Sequence, residues 1–319
     1  MIIKKEQNNK ILAYCSIVFV VVLWGCAPLY IHYMYDYYSP SVYTATTSLT
    51  SAISLLIISL PLFKYLNRDY FKVAIPSGIF NSVASLLQKI GLQYTTPTRY
   101  AFLENLSCVA VPLLLFIMIK KKPNFITILS CLLCLIGSFI LTGMDFSSGN
   151  LAFGKGELLC AISGLLYGGN IAITGVYAKK LHAPLYLLIQ MWIHTIISYA
   201  TAFTLNAIIV NGEAIEKLLF SWDFKVLLVL IVLSLISNTL CWILRVNAMK
   251  HINTTTIAVI MPCSAIVTGI LSVLLGTDTV TPNLIIGAGV GFIASLLSSL
   301  GDIQSEKKET NKSNRLNYS

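Results

Sequence analysis

A few ionisable side chains interrupt the long apolar runs of this sequence, and their chemistry needs an explanation. Glu104 lies inside one apolar run, next to Asn105, and Lys89 lies in the run before it. A charged side chain at the centre of a membrane helix costs on the order of 2.5–3.5 kcal/mol even on a lenient insertion scale. These residues therefore indicate either a substrate or proton site at Glu104, or a structural ion pair between Glu104 and Lys89.

A second group of polar residues is spaced for one face of a helix. Asn81, Ser85 and Gln88 follow each other at i, i+4 and i+7, so they form a stripe on one helix. At a constant offset, the corresponding positions of a later apolar run are Asn238, Trp242 and Arg245. This agreement of positions predicts an internal duplication, with chance similarity between apolar helices as the alternative.

Two further polar side chains and one arginine complete the candidate set. Gln190 and His194 share a helix face at i, i+4, and they either line a cavity or hydrogen-bond neighbouring helices. Arg245 lies toward one end of its apolar run, so we expect its long side chain to extend to the lipid headgroups, with a place in the cavity wall beside Asn238 and Trp242 as the alternative.

Composition decides which elements position these residues. The 319-residue chain is 56% hydrophobic and 11% charged, with a mean hydropathy of +0.78, so a soluble fold could not hide its apolar surface. Apolar runs of about 20 residues fit helices that cross a bilayer. We therefore predict an all-α integral membrane protein with ten transmembrane helices: Ile11–Tyr33, Pro40–Phe63, Val73–Tyr94, Thr98–Ile119, Phe125–Gly143, Glu157–Ala178, Pro184–Val210, Lys225–Asn247, Thr254–Leu275 and Asn283–Gly301.

The distribution of basic residues predicts the orientation. Most of the 22 Lys and Arg residues fall on one side of a ten-helix topology, and basic loops resist translocation. We expect a multi-pass protein of the cytoplasmic (inner) membrane with both termini in the cytoplasm. The net charge of +9 then reflects topology and attraction to anionic lipid, and nucleic acid is not an expected partner.

Five helices in each half would insert the second half upside down relative to the first. The predicted organisation is a cytoplasmic segment (1–10), a first five-helix repeat (11–147), a second, inverted repeat (148–303) and a disordered cytoplasmic tail (304–319). The only long outer connection, Asn211–Asp223, combines the charged residues Glu213, Glu216 and Lys217 with apolar residues and predicts a short interfacial amphipathic helix.

No cofactor or metal site is expected. All eight cysteines lie in apolar spans, and the Cys131-x-x-Cys134 pair has no histidine near it in sequence. Glycine pairs such as Gly164 and Gly168 permit close helix packing, within the chain or between copies. The expected partners are the lipid bilayer and a small-molecule substrate, and the protein is expected to be a monomer or a homodimer.

Several short motifs resemble those of the drug/metabolite transporter superfamily, in its EamA-type branch. Trp24-Gly25 and Tyr167-Gly168 resemble the family's Trp-Gly, and Gly91–Thr96 resembles its Ala-Leu-x-Tyr-Thr-Ser at the end of helix 3. The second-half counterpart of that motif is Ala248–His251. The resemblance implies ten helices, inverted repeats and a central cavity lined by helices 3, 4, 8 and 9, with contributions from helices 1, 2, 6 and 7.

The sequence also departs from the family pattern. Thr44–Thr47 stands where many members have an arginine, and Ser264-Ala265 replaces a frequent Glu-Pro, with Pro262 displaced. No substrate can therefore be carried over from the resemblance. The side chains expected to bind substrate are Trp24, Asn81, Ser85, Gln88, Glu104, Ser107, Tyr167, Gln190, His194, Asn238, Trp242 and Ser264.

The resulting interpretation is a secondary transporter, with export as the expected direction. It would move small organic metabolites, amino acids or amphipathic drug-like compounds by alternating access. A non-transporting sensor or scaffold is the alternative. An enzyme is less favoured, because no nucleophile or acid–base pair is assembled in the sequence: Ala161–Gly164 lacks the first glycine of Gly-x-Ser-Gly, and no His-Glu-x-x-His is present.

Overall fold

The computed structural model describes residues 2–120, 123–141, 154–210, 213–276, 281–283, 285–294 and 296–297. The predicted tail, 304–319, lies outside these residues. The described part contains ten helical stretches: α1 (Ile2–Met34), α2 (Pro40–Tyr65), α3 (Arg68–Leu92), α4 (Pro97–Ile119), α5 (Phe125–Leu141), α6 (Lys155–Lys180), α7 (Ala183–Ala207), α8 (Phe224–Ala248), α9 (Thr254–Leu274) and α10 (Ile285–Ala294).

Seven of these helices, namely α1, α2, α4 and α6 to α9, are long and apolar enough to cross a membrane. The stretches α5 and α10 are apolar but shorter, and α3 is long but carries Arg68, Asp69, Lys72 and Lys89. Large apolar side chains such as Ile57, at 65% exposure, cover the outer helix surfaces. The prediction of a helical multi-pass membrane protein is therefore confirmed.

Helices from the two halves of the chain pack directly against each other. The most extensive contacts join α3 to α6 and α7, α2 to α7, α4 to α6, and α1 to α8 and α9. Gly164 allows one of these close approaches, because a Cβ atom there would lie 2.6 Å from the carbonyl oxygen of Leu103. The core is thus an interface between the halves.

Three of the helices are irregular near their centres. In α8, the segment Leu235–Leu240 is a π-helix, which leaves carbonyl groups available to other helices. Ser237 O accepts a hydrogen bond from Trp24 Nε1 at 3.1 Å, and Asn238 O accepts one from Ser51 Oγ at 3.0 Å. These bonds fix α8 against α1 and α2.

The other two irregular segments occur in α4 and α9. Glu104–Leu106 is a turn of 3₁₀-helix within α4. In α9, the helix is interrupted at Met261 and Pro262, and Pro262 has no N–H group to continue the hydrogen-bond ladder. Both irregular segments supply residues to the cavity described below.

The predicted interfacial helix at Asn211–Asp223 is wrong for the described residues. The chain instead forms a small antiparallel hairpin, β1 (Ile209–Val210) with β2 (Glu213–Ala214), and then continues without helix through residues 215–223. The segment is held by tertiary contacts, since the Glu216 carboxylate accepts hydrogen bonds from Ser41 N and Ser41 Oγ at 2.8 and 2.9 Å. Glu216 thereby satisfies a free N–H group at the start of α2.

Candidate functional site

A cavity lies at the interface between the halves and holds about 100 Å³ of space open to the centres of water molecules. Helices α1 to α4 and α6 to α9 contribute to its wall, the set that the family resemblance implies. Its polar lining residues are Asn81, Ser85, Gln88, Lys89, Glu104, Asn105, Ser107, His194, Ser237, Asn238, Arg245 and Ser264. Its aromatic and apolar lining residues are Trp24, Ala27, Pro28, Tyr30, Ile31, Tyr43, Tyr100, Ala101, Tyr167, Ile171, Met191, Trp242, Met261 and Pro262.

Hydrophobic clusters continue from the cavity wall in two directions. Toward the end of the bundle where α2 begins, Tyr43 and Tyr100 belong to a buried cluster with Tyr38, Leu92 and Phe102. Toward the opposite end, a second cluster joins the cavity to buried packing between α7 and α8; its members include Leu187, Leu188, Met191, Trp242 and Val246.

The structure brings most of the predicted site residues together in this cavity. The predicted residues that line it are Trp24, Asn81, Ser85, Gln88, Glu104, Ser107, Tyr167, His194, Asn238, Trp242 and Ser264. That these side chains bind a substrate stays a prediction.

Gln190 is the predicted site residue that the structure places elsewhere. Its Nε2 donates hydrogen bonds to Ser77 Oγ at 3.2 Å and to Tyr186 OH at 3.1 Å, and the side chain is fully buried. Gln190 and His194 are four residues apart on α7, but they do not both line the cavity. Gln190 contacts α3, whereas His194 faces the cavity. Gln190 therefore acts as a contact between helices.

Glu104 is held by a hydrogen bond from an amide. Gln88 Nε2 donates to Glu104 Oε2 at 2.7 Å, and Tyr167 OH donates to Gln88 Oε1 at 3.0 Å. Lys89 Nζ donates to Ser85 Oγ, and the described residues contain no ion pair between Lys89 and Glu104. The carboxylate and the ammonium group thus face one cavity without direct contact.

Arg245 does not extend to the lipid headgroups, and that expectation was wrong. The residue is only 2% exposed, with its guanidinium carbon 4.0 Å from the centre of the Trp242 ring and 5.5 Å from that of Trp24. Its Nη2 donates to Asn170 Oδ1 at 2.8 Å, and Asn170 Nδ2 donates to the Ser77 carbonyl at 3.1 Å. Cation–π contact and this asparagine hold the arginine inside the bundle.

Three buried polar atoms of cavity-lining residues have no hydrogen-bond partner in the described part of the protein. They are Asn81 Oδ1, His194 Nε2 and Arg245 Nε. Asn81 Nδ2 lies 3.5 Å from His194 Nδ1. Buried polar groups are nearly always paired, so these three unpaired atoms of the cavity-lining residues need an explanation.

Sequence reasoning missed several lining residues. Tyr30, Tyr43 and Tyr100 give no signal of their own, because tyrosine near the end of a membrane helix is typical of an interfacial position. Arg245 did carry a signal, since it occupies the position that corresponds to Gln88 at the constant offset. The equivalence of Arg245 with Gln88, a cavity residue, indicated its location better than its position near the end of a helix did.

A sequence profile of the EamA-like transporter family matches residues 11–143 and 154–300. The chain belongs to this family. The two matched segments together cover most of the sequence, which also confirms the resemblance to the drug/metabolite transporter superfamily.

One relative and one solved structure are similar to this protein over most of its length. An uncharacterised transporter of Archaeoglobus fulgidus is 20% identical over 295 residues, which cover 92% of this chain and 88% of that protein. One solved crystal structure, 13% identical, matches 94% of this chain and 99% of its own with a TM-score of 0.67, and so shows a shared fold. An EamA-like membrane transporter is the function class that these findings support.

Proposed function

We propose that this EamA-like protein is a secondary exporter of small organic compounds: metabolites, amino acids or amphipathic drug-like molecules. The substrate would bind in the central cavity and would be released on the other side by alternating access. The observation that carries the proposal is a buried cavity with polar and charged side chains, enclosed by helices from both halves of a membrane bundle. Ionisable residues inside a membrane domain generally mark a substrate or ion pathway.

The packing pattern supports an inverted repeat of five plus five helices. If each helix n is exchanged for helix n+5, the contact of α1 with α8 becomes that of α6 with α3, and the contact of α1 with α9 becomes that of α6 with α4. The contact of α2 with α7 maps onto itself. A bundle with this exchange symmetry can adopt two equivalent states that open toward opposite sides.

The equivalent residues support the same proposal. Asn81 of α3 and Asn238 of α8 both line the cavity, as do Ser107 and Ser264. The 3₁₀ segment Glu104–Leu106 of α4 begins at Glu104, whose equivalent position in the second half is Met261, where α9 is interrupted. Broken helices that meet at mid-membrane commonly form the binding site of such carriers.

The proposal counts α3, α5 and α10 as transmembrane helices too, which makes ten. Because ten is an even number, both termini would then lie on the same side of the membrane. The basic loops favour the cytoplasmic side of the cytoplasmic membrane. The sequence lacks a complete Gly-x4-Gly-Lys-Ser/Thr motif for nucleotide binding, so the proposed energy source is a substrate or ion gradient.

Filling the cavity should abolish transport. Ala101, 5% exposed and in the cavity wall, would be replaced by Trp, whose ring would occupy much of the open space. The matched control is Leu113→Trp on the same helix, at a side chain that is 58% exposed on the outer surface. Membrane vesicles with each variant would be incubated with an extract of small metabolites, and their contents would be measured by mass spectrometry.

We expect inside-out vesicles with the wild-type or Leu113→Trp protein to accumulate at least one compound relative to empty vesicles. Vesicles with Ala101→Trp should show at least about a tenfold lower rate at equal protein content. If Ala101→Trp transports as fast as the control, the substrate does not use this cavity and the proposal is wrong.

A further inference from the structure

We propose that the cavity recognises the carboxylate of a small organic monoanion at Arg245. This inference rests on the proposed transport function and adds the chemical class of the substrate. It is drawn from the charge of the cavity wall, the contacts of Arg245 and the cavity size.

The charged residues of the wall do not balance. The lining residues include two bases, Lys89 and Arg245, and one carboxylic acid, Glu104, which in their ordinary ionised forms carry two positive charges and one negative charge. The carboxylate of Glu104 offsets one cation, so one positive charge remains. A buried, unpaired charge is unfavourable, and a substrate with one negative charge would neutralise it.

The contacts of Arg245 identify which cation has an open binding position. The guanidinium carbon lies 4.0 Å from the centre of the Trp242 ring and 5.5 Å from that of the Trp24 ring, and the described residues supply one hydrogen-bond acceptor, Asn170 Oδ1 at Nη2. Arg245 Nε has no partner although the residue is 2% exposed. A guanidinium edge presents N–H groups in the geometry that matches the two oxygens of a carboxylate. Lys89 differs in geometry: its ammonium group donates one N–H to Ser85 Oγ and presents no planar pair of N–H groups to a carboxylate.

A second donor faces the same cavity. Asn81 Nδ2 lies 3.5 Å from His194 Nδ1, and when the amide donates across this contact the ring nitrogen is the acceptor. A neutral His194 then carries its proton on Nε2, which is buried and unpartnered. In the described part of the protein, unpartnered nitrogen atoms of two cavity-lining residues thus lie on α7 and on α8.

The volume limits the rest of the substrate. About 100 Å³ of space for water centres corresponds to roughly seven to ten water molecules at about 10–15 Å³ each. A molecule of about ten non-hydrogen atoms fits this space. A phosphate monoester carries about −1.5 to −2 charges at neutral pH and would exceed the single positive charge of the wall.

Three pairs of probes separate charge from shape: benzoate and benzamide, hexanoate and hexanamide, and lactate and lactamide. Each pair differs mainly in the charge of the terminal group. Binding to the detergent-purified protein would be measured by the rise in thermal unfolding midpoint and by tryptophan fluorescence, because Trp24 and Trp242 flank Arg245. Phenyl phosphate would be tested beside benzoate.

We expect at least one carboxylate to bind about 10- to 100-fold more tightly than its amide. Arg245→Gln should remove this preference, Arg245→Lys should retain part of it, and the exposed control Arg68→Gln should keep it. The wild-type comparison of acid with amide decides the question even if Arg245→Gln fails to fold.

Equal binding of acid and amide in all three pairs would overturn the proposal, as would tighter binding of phenyl phosphate than of benzoate. The carboxylate proposal would also be wrong if the wild-type protein transported only neutral or cationic compounds and Ala101→Trp blocked this transport. That result would still support the proposed transport function. No flux of any compound, together with selective carboxylate binding lost in Arg245→Gln, would support the site and contradict the transport function.

Discussion

Asn170→Leu is expected to lower the free energy of unfolding by about 2–4 kcal/mol, because it removes the acceptor that Arg245 uses inside the bundle. The substitution also removes the hydrogen bond that Asn170 Nδ2 donates to the Ser77 carbonyl. Leucine has a similar size, so the loss would come from unpaired polar groups and not from a cavity. The unfolding midpoint of the purified protein in detergent measures the effect.

Asn170→Asp is the matched control for this change. It keeps an oxygen acceptor beside Arg245 and adds a negative charge, so we expect a stable protein. The added charge would also neutralise the cation that we assign to the substrate, and carboxylate binding should weaken by about tenfold or more. If Asn170→Leu unfolds at the wild-type temperature, the bond from Arg245 to Asn170 does not stabilise the bundle.

Glu104→Gln is expected to destabilise the protein by about 1–3 kcal/mol, because the buried wall would then hold two cations and no anion. Gln88 could still donate to the new amide oxygen, so the hydrogen bond is preserved and the effect reports charge. Adding Lys89→Met should recover most of the loss, with a coupling energy of about 0.5–3 kcal/mol in the double-mutant cycle.

The control for this cycle is Glu213→Gln, in an exposed pair with Lys217 at 3.6 Å. The same chemical change on the surface should alter stability by less than about 0.5 kcal/mol. A loss at Glu104 no larger than the loss at Glu213 would mean that the cavity charges are screened. In that case the charge balance could not select a substrate.

Much of the cavity wall could be predicted from spacing alone. The stripe of Asn81, Ser85 and Gln88 lies on the cavity face of α3, and the constant offset leads to Asn238 and Trp242 on α8. This succeeded because a membrane helix exposes its apolar face to lipid, so polar residues at helical spacing must face the protein interior.

The spacing of polar residues along a helix could not decide whether a buried side chain contacts another helix or lines the cavity. Gln190 and His194 are both buried on α7, yet one bonds to α3 and the other lines the cavity. Only the position of the neighbouring helix separates these cases. Residues 213–223 likewise mix charged and apolar side chains as an amphipathic helix does, but they form no helix, and Ser41 N donates a hydrogen bond to the Glu216 carboxylate.

Arg245 shows a different limit of the sequence. A long cationic side chain near a helix end can reach either the headgroups or the interior, and free-energy differences of a few kcal/mol decide which. Here two tryptophans from α1 and α8 and an asparagine from α6 select the interior. Trp242 lies on the same helix as Arg245, but Trp24 and Asn170 are far from Arg245 in sequence, so no local pattern reveals these two partners.

Access to the cavity from both sides of the membrane tests the central claim most directly. Ser107→Cys and Ser264→Cys are conservative changes at equivalent lining positions of the two halves. Each variant would be treated with a membrane-impermeant maleimide in right-side-out and in inside-out vesicles, and modified peptides would be identified by mass spectrometry. The buried Cys241, at 0% exposure, provides an internal control that should stay unmodified. Alternating access predicts that both new cysteines react from each side; reaction from one side only, in vesicles that sustain flux, would contradict it.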